Sequence, residues 1–78
     1  MNQQATASQK TRAEQETENE ANRLTEQVEA ALAAVAMRSP DEDESLQAAA
    51  DRIERVARDL ADALRALAQQ RKASAEER

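Results

Sequence analysis

Glycine, cysteine, histidine and every aromatic residue are missing from these 78 residues, and proline occurs once. Each absence removes a class of structure or chemistry. Sheets draw on aromatic and β-branched side chains, and their tight turns draw on glycine. The apolar β-branched set is only Val28, Val35, Ile53 and Val56. Without cysteine there are no disulfides and no thiolate metal sites, and nothing points to an oxidising compartment. Without histidine or cysteine the chain lacks the groups that do acid–base and nucleophilic work near neutral pH. Lys10 and Lys72 fall in polar stretches where no burial depresses an amine's pKa, and no glycine-rich phosphate loop is present. The expectation is a protein that is not an enzyme and needs no cofactor or metal. No run approaches the roughly 18 apolar residues that span a bilayer. The opening "MNQQATASQK" has no apolar core of the kind a secretory signal carries. A cytoplasmic protein is expected.

What is present favours helices. Alanine, leucine, glutamate, glutamine and arginine dominate, all good helix formers, so the fold class expected is all-α. The net charge of −5 is unevenly spread: residues 13–44 hold ten acids against two arginines, whereas residues 45–78 hold six acids against seven bases. An acidic first segment beside a nearly neutral, arginine-rich second one suits mutual packing. A nucleic-acid binder shows a basic stripe. Here Arg52, Arg55, Arg58 and Arg65 alternate with Glu54, Asp59 and Asp62, and no aromatic ring is available to stack a base. A small dimeric nucleic-acid-associated regulator is therefore only a distant alternative. The acidic first segment and the missing aromatic anchors argue equally against a membrane surface.

Residues 1–12 read as a disordered polar tail, too poor in apolar surface to offset the entropy of ordering. Two capping boxes follow, Thr11-x-x-Glu14 and Thr17-x-x-Glu20, and an early start near Thr11 is preferred. Helix 1 is expected over about 13–37, with an apolar seam of Ala21, Leu24, Val28, Ala31, Leu32 and Val35 inside an arc of about 100°.

The one proline sits in "MRSPDEDESL", residues 37–46. Ser39 and Glu42 form another S-x-x-E box around it. Pro40 then takes the first helical position, where the missing N–H costs nothing. The acids at 41–44 fill the first turn, which the helix dipole favours. A cation-binding loop needs ligands at alternate positions and a glycine for its turn, so this stretch is read as a corner at 38–40 and not as a metal site. Helix 2, expected over about 40–70, repeats Leu46, Ile53, Leu60 and Leu67 every seven residues, with Ala49, Val56 and Ala63 as the second seam position and Leu64 beside it. This is a coiled-coil-like stripe. Asp51 with Arg55 and Glu54 with Arg58 are well ordered for ion pairs one turn apart. Residues 71–78 read as a frayed tail.

Folding at the corner pairs positions whose numbers sum to about 81, which brings Leu64 opposite Thr17 and Leu67 opposite Glu14. The seam of helix 2 thus outruns that of helix 1, leaving Leu60, Leu64 and Leu67 as a docking end. The expected architecture is a two-helix antiparallel hairpin, pairing into a four-helix bundle with its own copy or accepting an amphipathic helix from a partner protein. Leu24, Val28, Leu32, Val35, Leu46, Ile53, Val56, Leu60, Leu64 and Leu67 are the expected interaction residues. Adaptor, regulator or small chaperone are the roles that fit.

The plan of polar tail, helix, "SPDEDESLQ" corner and second helix resembles the small α-hairpins of type III secretion needles and their cytosolic co-chaperones. That resemblance implies a subunit or co-chaperone of a secretion or filament assembly. Needle-like subunits end in an apolar helix, whereas this chain ends in "QQRKASAEER", which puts the filament role in doubt.

Overall fold

The computed structural model describes residues 10–38 and 40–76, and among them are two α-helices and no strand. Helix α1 spans Arg12–Ala36 and helix α2 spans Glu42–Glu76. Most of the expected polar tail lies outside the described residues, as does Ser39.

Helix α1 starts at the first of the two capping boxes. The Thr11 hydroxyl accepts the Glu14 N–H at 3.0 Å, and the Glu14 carboxylate accepts the Thr11 N–H at 3.0 Å. Two of the orphan donors of the first turn are thereby satisfied. Thr17, the rival cap, is instead inside the helix, its hydroxyl donating back to the Ala13 carbonyl at 2.8 Å. At the other end Met37 turns extended (φ −84°, ψ 137°) while its N–H still closes onto the Ala33 carbonyl at 3.1 Å. Arg38 therefore lies beyond the last turn and not within it.

The corner differs in detail from the expected cap. Pro40 and Asp41 form a turn, and α2 begins at Glu42, so Pro40 is not its first residue and Glu42 is not the third residue of a capping box. The Ser45 N–H donates to the Asp41 carbonyl at 3.1 Å, which puts Asp41 at the cap position. Aspartate caps a helix as well as serine does, and a start at Glu42 keeps Glu42, Asp43 and Glu44 together in the first turn, at the positive end of the dipole. At its far end α2 continues to Glu76, past the fraying expected from residue 71. Alanines at 73 and 75 sustain the helix, and Arg71 is tied to α1.

Three cross-helix contacts fix direction and register. Arg52 Nε donates to Gln27 Oε1 at 3.1 Å, the Thr17 hydroxyl reaches the Ala63 carbonyl at 3.4 Å, and the Thr11 hydroxyl reaches Gln70 Oε1 at 3.4 Å. Partner numbers fall on α2 as they rise on α1, so the helices are antiparallel. Each pair of numbers sums to within two of the expected 81. Arg71 also reaches Glu14 at 2.8 Å. The expected pairs Asp51 with Arg55 and Glu54 with Arg58 do not close; exposed pairs of this kind gain little over their hydration, and Arg52 spans to the other helix instead.

The open end of the hairpin thus hangs on a clasp of Thr11, Glu14, Gln70 and Arg71. The Thr11 amide, and next the Arg71 guanidinium, hold the Glu14 carboxyl below its ordinary pKa. A carboxyl lowered by folding stabilises the fold above its unfolded pKa, and that contribution disappears as pH falls through the folded value. The protection of the Thr11 and Glu14 amides, corrected for the intrinsic pH dependence of exchange, is therefore expected to fall as pH drops below the usual carboxylate range, and Glu14→Gln to flatten that dependence. Thr11→Ala is expected to cost about 1 kcal/mol of helix stability, read as lost helicity at the α1 start.

Candidate helix-docking face

The strip between the helices is built from steps of three and four residues. On α1 the half-buried positions are Ala13, Glu14, Thr17, Glu20, Ala21, Leu24, Gln27, Ala31 and Ala34; on α2 they are Glu42, Ile53, Val56, Leu60, Ala61, Ala63 and Leu67, with Ala49 fully buried at 4% exposure. Bulky side chains on α2 meet small ones on α1, which lets the helices approach closely.

The ten expected interaction residues divide evenly. Leu24, Ile53, Val56, Leu60 and Leu67 lie half-buried in the strip, whereas Val28, Leu32, Val35, Leu46 and Leu64 are exposed, Leu32 at 65% and Val35 at 64%. Leu60 and Leu67 therefore belong to the hairpin's own packing, and only Leu64 of the expected docking end is open. Pro40 is exposed and Glu42 is half-buried at the corner.

The exposed five share one face. At 100° per residue, Val28, Leu32 and Val35 fall within about 60° of one another, rotated in one sense away from the strip. Leu46 and Leu64 are 18 residues apart, five full turns, so they point the same way and are rotated from their own strip in the same sense. In an antiparallel pair, equal senses of rotation on the two helices lead to the same side of the layer. Ala50 and Ala57 lie along that side between the two leucines. The other side is polar: Glu16, Arg23, Asp59 and Asp62 line a shallow groove there, and Arg52 bonds to Gln27 close by.

Gln27, Ala34 and Glu20 lie in the strip but outside the expected seam. Gln27 and Ala34 turn inward where Val28 and Val35 were expected, because a seam chosen by side-chain size follows the larger neighbour. The heptad of α2 was the available signal: its large residues at 53, 56 and 60 call for small partners on α1. Glu20 also lies in the strip, and its Oε1 is shut off from water with no hydrogen-bond partner. Among the described residues no group of three or more acids is arranged to hold a metal, and no helix is long and apolar enough to cross a membrane.

No protein-family model, curated protein or solved structure matches the chain.

An unpartnered carboxylate oxygen in a packed strip destabilises it. Glu20→Leu is expected to raise stability by about 1 kcal/mol in urea unfolding at fixed protein concentration. Unchanged or lowered stability would show that this carboxylate is satisfied in solution.

Proposed function

We propose that the chain is a non-enzymatic protein–protein interaction module: half of a four-helix bundle with coiled-coil-like packing, working by burial of its apolar face against further helices. One observation carries the proposal. Among the described residues the hairpin's own strip fully buries only Ala49, while five large apolar side chains stand exposed together on one side of a single helical layer. Contiguous apolar faces of this kind mark interaction sites in soluble proteins. The absence of histidine and cysteine supports a role without catalysis. An adaptor, a regulator or a small chaperone uses such a face.

The test is circular dichroism over a dilution series, with light scattering and refractive-index detection after size exclusion, since no aromatic residue absorbs at 280 nm. Helix content is expected to fall on dilution from about 100 µM to about 1 µM, or to stay low throughout if the completing helices belong to another protein. A fully helical monomer that melts cooperatively at every concentration would contradict the proposal. Leu64→Glu touches only the face and is expected to weaken assembly at least about tenfold while sparing the hairpin register. Leu67→Glu strikes the strip itself and is expected to lower helix content as well. Arg55→Gln, on the polar side, is expected to change neither.

A further inference from the structure

We infer that the corner end of the apolar face receives a short amphipathic helix of another protein, one whose apolar stripe is flanked on both sides by lysine or arginine. The inference rests on the docking role proposed above and adds the place on the face and the charge of the occupant.

The face is uneven along its length. Val28, Leu32, Val35 and Leu46 stand exposed at the corner end. By helical rise and the antiparallel register they fall within about 11 Å of one another along the hairpin. Met37 is exposed beside them at the turn. Leu64 lies about 16 Å further on, with the exposed Ala57 between it and the cluster on α2.

Charge is spread as unevenly. Residues 27–55 hold seven acids against three arginines. Two of those arginines, Arg52 and Arg55, line the groove on the polar side of the layer, where Arg52 is bonded to Gln27. The third, Arg38, is at the turn. At 100° per residue, Glu29 stands about 60° outward from Leu32 on α1, and Asp43 and Glu54 stand about 60° and 80° outward from Leu46 on α2. All three are exposed, and Glu29 and Glu54 lie at nearly the same level on opposite borders. Neither of these two enters an ion pair among the described residues. The apolar cluster is therefore bordered by carboxylates on both helices.

Those borders select the occupant. A helix laid in the valley between α1 and α2 covers the cluster with its own apolar stripe, and its flanks come over the two borders. Acidic flanks would set like charges together. Lysine and arginine carry apolar stems that lie on the cluster and cationic heads that reach the carboxylates, so they suit both parts of the site. Ala50 and Ala57 leave room for a close approach along α2. A second copy of this chain does not meet these requirements. Its own corner end brings the same acids, and its open end carries one large apolar residue on this face, Leu64. A nucleic acid or an anionic lipid surface is repelled by the same carboxylates. The patch is about 18 Å wide and about 15 Å long, roughly 300 Å², the size of a transient contact.

The probe is a synthetic helix of about 14 residues, about 21 Å long, built of leucine, alanine and lysine. Its leucines form one stripe with a single tryptophan among them, and its lysines line both flanks. A twin carries glutamate for every lysine. The chain has no aromatic residue, so the tryptophan emission reports the probe alone. Titrated with the full chain, the lysine probe is expected to bind with a dissociation constant below about 100 µM, at least about tenfold tighter than its twin, and to weaken at least about threefold between about 50 and about 500 mM sodium chloride. Leu32→Glu is expected to weaken it at least about tenfold. That variant adds a negative charge, so retained or tighter binding would show general ionic attraction and overturn the site. Glu29→Gln with Glu54→Gln is expected to reduce the salt dependence; an unchanged dependence overturns the assignment of the borders. Equal binding of the two probes, lost in Leu32→Glu, overturns the basic flanks and leaves the docking role standing. Binding of neither probe up to about 1 mM overturns the inference. The docking role then stands if the chain is self-associated or poorly helical, and falls with the inference if the chain is a fully helical monomer at every concentration.

Discussion

Two helices laid side by side share one strip of contact, a single side chain deep, and the narrowness of that strip governs this molecule. A third or fourth helix would give it a floor. Without one, a residue can be half-covered by the neighbouring helix but hardly ever enclosed, and among the described residues Ala49 is the one apolar residue that is fully buried. Small side chains on α1 make the best of the strip by letting the bulky residues of α2 come close. The cost is that the larger residues of α1, Val28, Leu32 and Val35, are turned to one side. They join Leu46 and Leu64 there, and the layer acquires an apolar face and a polar face.

Polar side chains, more than apolar ones, hold the register at the open end. Thr11 caps α1 and touches Gln70, while Glu14 completes the cap and receives Arg71. One carboxylate thus links the start of one helix to the last turns of the other. Thr17 plays a similar part further in, sharing its hydroxyl between its own helix and the Ala63 carbonyl. These contacts occupy the length over which α1 has no large apolar residues. They explain how α2 can stay paired beyond the point where the apolar seam of α1 stops.

Much of this was legible in the sequence. The absence of glycine and aromatics pointed to helices, Pro40 to the corner, and the seven-residue repeat of α2 to its packed side. The antiparallel register followed from folding at that corner, and Gln27, Thr17 and Thr11 meet partners within two positions of it. The rotation of α1 was less legible. Choosing a seam by residue size selects Val28 and Val35, whereas close approach selects Gln27 and Ala34. The two choices differ by only about 100° on the wheel. The start of α2 was misplaced for a similar reason: Ser39 and Asp41 are both good caps, and sequence spacing alone does not rank them. The division of the ten apolar residues between the strip and the exposed face depends on that rotation, and it was not visible beforehand.

We propose that this hairpin is completed by helices outside itself. Hydrogen–deuterium exchange of the α2 amides, followed at two protein concentrations about a hundredfold apart, addresses it most directly. Protection at Ile53, Val56 and Leu60 is then expected to be weak in the dilute sample and to rise with concentration, or to be acquired only when a partner's helices are added. Strong protection of those amides that is the same at both concentrations, with the chain monomeric, would mean that the hairpin stands alone, and would contradict it.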